Sequence, residues 1–203
     1  MKRNPFELLP DAVEVGGALV RIDSDFRVGV AIENEMLCAH PDIAGLLAAF
    51  YPNGIPSDMA AAAEKMLWFY ANMENGEPEE GEALQIGASG RWYDFTQDAD
   101  VLMASFRQAY GIDLEKERIH WWKFRRLMFG LPQDTPFVQR VHYRIADINK
   151  LPREQRKHYR RMQRLYALKK TDARSRMTAS ERDAAMKARV QRRFEEARNG
   201  PKG

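Results

Sequence analysis

The chain reads as mainly α: a compact helical domain with a small N-terminal β-hairpin and a C-terminal helical extension. Three observations predict this. Apolar residues recur at three- and four-residue intervals, as in Ala62, Met66, Phe69, Tyr70 and Met73, which is the period of an amphipathic helix. β-branched residues flank a two-glycine turn, Gly16-Gly17, near the start. Asp, Ser or Thr stands before the periodic stretches and Gly or Pro after them, as helix ends require. With 203 residues and an apolar share of 44%, one domain over 1–170 has enough material for a real core, and 171–203 forms the extension.

Val13-Glu14-Val15 and Ala18-Leu19-Val20-Arg21-Ile22 form the predicted hairpin, which is marginal alone and must rest on the helices that follow. Asp23, Ser24 or Asp25 caps a helix running to about Cys38. Pro41-Asp42 opens a short helix carrying Ile43, Leu46, Leu47 and Phe50, and the run 51–56 ends it. Ser57 begins the next, which stops near Asn75-Gly76. Over 74–90 the chain holds Glu74, Glu77, Glu79, Glu80 and Glu82 with four glycines and Pro78, a composition that predicts a flexible acidic loop. The segment 98–110 places Val101, Leu102, Ser105, Phe106 and Ala109 on one helical face, with Gly111 as its C-cap. A helix over 114–129 carries Trp121, Phe124, Leu127 and Met128 and ends at Gly130-Leu131-Pro132. Thr135-Pro136 starts another with Val138, Val141 and Ile145, and Pro152 opens the last.

A single cysteine, Cys38, cannot close an internal disulfide, which fits a reducing compartment. The basic start Met1-Lys2-Arg3-Asn4-Pro5 is followed by no apolar signal segment, and the longest uncharged apolar run, 44–51, is far short of the roughly 20 residues that span a bilayer. The expectation is a soluble protein of the cell interior with no membrane association. The net charge of +3 conceals a strong polarity: residues 1–149 hold 14 Lys and Arg against 23 Asp and Glu, a balance of −9, and residues 150–203 hold 18 against 6, a balance of +12. Such asymmetry serves nucleic-acid binding, docking on an acidic partner, or attraction between copies.

No constellation in the chain points to chemistry. His40, His120, His142 and His158 are not spaced with Cys, His or carboxylates as zinc ligands are, so no metal is expected. Asp94, Asp98 and Asp100 read as carboxylates gathered at a helix N-terminus, each favoured by roughly 0.3 to 1 kcal/mol against the macrodipole. No phosphate-binding glycine loop and no nucleophile elbow occurs, and Cys38 and His40 point to different sides of a helix. The reading is non-enzymatic, with no catalytic residue and no cofactor.

Three features suit binding instead. Trp121 and Trp122 are adjacent, so in a helix they diverge by about 100°. Either one packs with Phe124 or Met128 while the other is an outward interface anchor, or both are buried between successive helices. The segment 153–170 combines an apolar stripe, Tyr159, Met162, Leu165 and Tyr166, with a cationic face that includes Arg156, Lys157, Arg160 and Arg161. In the extension, Thr178-x-x-Glu181 has the form of a capping box and precedes a narrow stripe, Met186, Val190, Phe194 and Ala197. That stripe suits a partner groove, packing on its own domain, or a frayed terminus.

A set of groupings recurs in fixed order: Tyr93-Asp94-Phe95-x-Gln97-Asp98-Ala99-Asp100, Tyr110-Gly111-Ile112-Asp113-Leu114, His120-Trp121-Trp122-Lys123-Phe124-Arg125, Gly130-Leu131-Pro132-x-Asp134-Thr135-Pro136-Phe137, Tyr143-Arg144, and the basic run from Arg153 to Leu168. Together with Leu8-Leu9-Pro10-x-x-Val13-Glu14-Val15 and Ile22-Asp23-x-Asp25-Phe26-Arg27, this series resembles the bacteriophage family named after gene product fifteen of tailed phages. The resemblance covers roughly residues 8–168 and leaves the extension outside. Genes of that family lie among those for tail assembly. The resemblance therefore implies a tail assembly chaperone of the host cytoplasm that transiently binds the tail tube or tape-measure protein, with self-association as a further expectation. A structural component of the virion tail is the alternative, and a nucleic-acid-binding module ranks below both.

Overall fold

The computed structural model describes residues 9–38, 41–71 and 92–169. They contain two strands, seven α-helices and one 3-10 turn, the mainly α fold that the sequence predicts. The predicted acidic loop over 74–90 and the extension over 171–203 lie outside the described residues. The described residues fall into two units, 9–71 with Ile119–Phe124, and 92–118 with 125–169.

In the first unit, β1 (Ala12–Val15) and β2 (Ala18–Arg21) pair antiparallel in the register Val13 to Val20 and Val15 to Ala18. Gly16 and Gly17 have φ of 58° and 81°, the left-handed pair that a two-residue hairpin turn demands and that only glycine adopts at no steric cost. Val13 and Val15 are buried, Leu19 on the opposite face is exposed, and β1 packs on α3 (Met59–Ala71). The hairpin thus has the helical support that its marginal stability requires. α1 (Phe26–Met36) starts at Asp25, whose carboxylate accepts the Arg27 N–H at 2.9 Å. α2 (Ile43–Phe50) starts at Asp42, whose carboxylate accepts the Gly45 N–H at 2.9 Å. Ile32, Leu47, Phe50, Ala62 and Met66 are fully buried at the centre of this unit.

The predicted helix over 114–129 is shorter: α5 occupies Trp121–Phe129. Residues 113–117 instead close a single turn, in which Glu117 N–H donates to the Asp113 carbonyl at 2.9 Å and Asp113 N–H to the Glu117 carboxylate at 3.0 Å. The chain then extends, so that Phe26 N–H meets the Ile119 carbonyl and Trp121 N–H the Ser24 carbonyl, both at 2.8 Å. Pairing with a distant segment overrides the local helical pattern there. Residues Trp121 to Phe124 of α5 belong to the first unit and Arg125 to Phe129 to the second.

In the second unit, α4 (Ala99–Tyr110) ends at Gly111, whose φ of 70° gives the expected left-handed C-cap. α6 (Pro136–Ile145) starts at Thr135-Pro136 as predicted, and its Phe137 N–H is satisfied by the buried Ser105 hydroxyl of α4 at 2.9 Å. A 3-10 turn (Ile148–Lys150) leads to α7 (Arg153–Tyr166), which packs on α6. Trp92, Phe95, Leu102, Phe106, Phe137 and Val141 are buried in this unit. Among the described residues no helix is long and apolar enough to cross a membrane.

Candidate partner-binding surface

Neither tryptophan is outward. Trp121 and Trp122 are 1% and 0% exposed, so of the two arrangements left open by the sequence the one with both in the core is found, and neither is an interface anchor. The reason lies in the approach to α5, where the extended entry at 119–120 is tied to 24–26. The indole N–H of Trp121 donates to the Tyr70 carbonyl at 2.7 Å and that of Trp122 to the Phe69 carbonyl at 2.8 Å. These carbonyls belong to the last described turn of α3. Tyr70 stacks on Trp121 with ring centres 5.7 Å apart, and Phe69 on Trp122 at 5.4 Å. Just before them, His120 Nδ1 accepts the Trp122 backbone N–H at 3.1 Å, which leaves Nε2 to carry the proton and donate to the Pro10 carbonyl at 3.0 Å. The tryptophans are fasteners of the first unit and leave the candidate surface.

In the second unit the central polar group is Asp98, 1% exposed. Its carboxylate receives Arg144 through two nitrogens, at 2.6 and 2.7 Å, Arg140 at 3.2 Å, and the Asp94 backbone N–H at 3.0 Å. Burial pushes its pKa up, but the hydrogen bonds from Arg144, Asp94 and Arg140 and the charge of Arg144 outweigh that and hold it below the ordinary carboxylate range. Asp98 is therefore more than a helix-terminal carboxylate: it makes no side-chain cap bond and serves as the hub of a buried ion cluster. Neighbouring Asp94 accepts the Thr96 and Gln97 N–H groups, both at 2.8 Å, and so shapes the turn before α4.

No residue of α7 is buried. Its inner side is the half-buried set Arg156, Tyr159, Met162, Gln163 and Tyr166. Gln163 donates to the Ala146 carbonyl at 2.8 Å, and Arg144 donates to the Tyr166 carbonyl. His142 meets the Tyr159 hydroxyl at 3.3 Å and His158 meets that of Tyr143 at 3.4 Å. Two expectations change here. Leu165, placed in the apolar stripe, is 67% exposed, because it lies about 100° from Tyr166 around the helix. Arg156, placed on the cationic face, instead donates to the Leu151 and Asn149 carbonyls at 2.9 and 3.0 Å and fastens the start of α7.

What remains outward is a stripe of five cations. Arg153, Lys157, Arg160, Arg161 and Arg164 are all exposed, and none has an ion pair or hydrogen bond among the described residues. At 100° per residue they fall within an arc of about 100° opposite the inner side. Arg153 and Arg164 join the expected Lys157, Arg160 and Arg161. The remaining expected residues, Met186, Val190 and Phe194, lie outside the described residues. Among the described residues no cluster of three or more His, Cys, Asp or Glu side chains is placed to hold a metal ion.

The profile of the family described as Bacteriophage Gp15 protein matches residues 6–168, which is most of the chain. The chain belongs to this family. No curated protein and no solved structure matches it. The matched span of this Gp15 family protein takes in both units and nearly all of the described residues, α7 and its cationic stripe included, and ends before the basic extension.

Proposed function

We propose that this protein is a non-enzymatic phage tail assembly factor, a chaperone of the host cytoplasm that transiently binds the tail tube or tape-measure protein. Its family membership supports a phage role. The observation that carries the binding role is the outward face of α7, where Arg153, Lys157, Arg160, Arg161 and Arg164 are presented without partners among the described residues. Five cations gathered on one exposed helix face contribute little to folding and are available to a second molecule. An unassembled tube subunit exposes strand edges and apolar surface, both aggregation hazards that transient masking relieves until polymerisation covers them.

Affinity capture of the full chain from phage-infected cells, with finished virions analysed alongside, tests this reading. Tail tube or tape-measure protein in the capture, with this chain absent from virions, is the expected result. Stoichiometric presence in virions would make the protein a structural part, and a capture free of tail proteins would sink the proposal.

A further inference from the structure

We infer that the segment seated on α7 is an acidic helix that carries carboxylates at the spacing of the α7 cations and an apolar residue beyond them. The identity of the protein that supplies this segment rests on the chaperone reading. The chemistry of the contact does not.

The stripe Arg153, Lys157, Arg160 and Arg164 advances by four, three and four residues, and Arg161 flanks it. It runs for about 16 Å along the helix at 1.5 Å per residue. A second helix laid lengthwise presents side chains with the same three- and four-residue recurrence, so its carboxylates meet these cations turn by turn. Four of the five cations are arginines, whose planar fork takes a carboxylate through two nitrogens. The only carboxylate within α7 is Glu154, at the start of the helix, so the rest of the stripe carries no internal neutralisation.

Leu165 decides between an acidic protein and a nucleic acid. It is the most exposed large apolar side chain of the second unit, at 67%, and lies one turn past Arg161. A leucine at the border of a cationic stripe gains from an apolar neighbour, which a phosphodiester backbone does not offer. The bonds that hold α7 in place, from Arg144, Arg156 and Gln163, are all on the other side of the helix, so docking leaves them intact. Exposed ion pairs are individually weak and screened by salt, so the contact is readily reversed, as a factor that must release its client requires.

The test uses fluorescence anisotropy on the full chain with three labelled probes. One is a peptide helix with Glu at the α7 cation spacing and a following Leu, the second is a peptide of the same composition in shuffled order, and the third is a duplex DNA oligonucleotide. The patterned peptide is expected to bind at least about tenfold more tightly than the shuffled one, and R160E/R161E to weaken it by about tenfold or more. L165S is expected to weaken it about threefold, with the thermal midpoint of both variants unchanged. Equal binding of the two peptides, tighter binding of the DNA, or indifference to R160E/R161E would each overturn the inference. Peptide binding intact beside a capture free of tail proteins would remove the chaperone reading and leave this one standing.

Discussion

Arg144 holds Asp98 through two nitrogens at 2.6 and 2.7 Å, joining α6 to the start of α4 across 46 residues. The carboxylate is 1% exposed, so removing the guanidinium leaves a buried charge with Arg140 and one backbone N–H to compensate it. R144M is expected to cost about 3 to 5 kcal/mol, read by chemical denaturation of the purified protein. R144K keeps the charge but not the fork and should recover only part of the loss.

The same pair sets an acid limit. The Asp98 pKa lies below its ordinary value of 3.8, so its contribution is fully present above about pH 4 and disappears as pH falls through the folded value. The stability gap between wild type and D98N should therefore be widest near neutral pH and shrink as the medium is acidified. A gap that stayed constant down to pH 3 would contradict this assignment.

Gly29 on α1 leaves no room for a side chain. A Cβ there would come within 2.3 to 2.7 Å of the Trp121 ring, and that ring is fixed by its bond to Tyr70 and the stack on the Tyr70 ring. Alanine gains about 1 kcal/mol of helix propensity over glycine. Overpacking against a ring that cannot retreat reaches the upper end of about 1 to 3 kcal/mol, so G29A is expected to be net destabilising, with a lower thermal midpoint.

W122F separates a core role from an interface role. Phenylalanine fills most of the space but leaves the Phe69 carbonyl without the indole N–H, at a cost of about 1 to 3 kcal/mol. The melting temperature should fall while capture of tail proteins by the folded fraction is unchanged. Full stability with lost capture would return Trp122 to the partner surface.

Tyr51 supplies the alkaline counterpart. Its hydroxyl donates to the Ala62 carbonyl at 2.8 Å, and burial pushes its pKa up to about 12 from 10.0. The stability it contributes is complete below about pH 10 and is lost as pH rises through about 12, the sign for a group whose folded value is raised. Absorbance titration should show a tyrosine ionising near pH 12, and Y51F should remove that step.

Local chemistry was legible in the sequence, and distant pairing was not. Gly16-Gly17, Gly111 and Thr135-Pro136 mark their turn and caps because each depends only on its own backbone conformation. The true start of α5 was hidden because 119–120 bonds to 24–26, nearly a hundred residues away. Asp98 looked like an ordinary helix-terminal acid because its partners, Arg140 and Arg144, come from another helix. On α7 the helical period alone located the cationic side, but it could not show that Arg156 turns back to the Leu151 carbonyl and that Leu165 is left outside.

Because the contacts that hold α7 lie on its half-buried inner side, its exposed outer face is released from folding duty. Substitutions at such surface positions usually change stability by no more than about 0.5 kcal/mol. Point mutations can therefore redraw the charge pattern there while the buried Asp98 cluster and the two tryptophans keep the architecture unchanged. That division makes α7 the place where the surface charge of a Gp15 family protein can drift at little cost in stability.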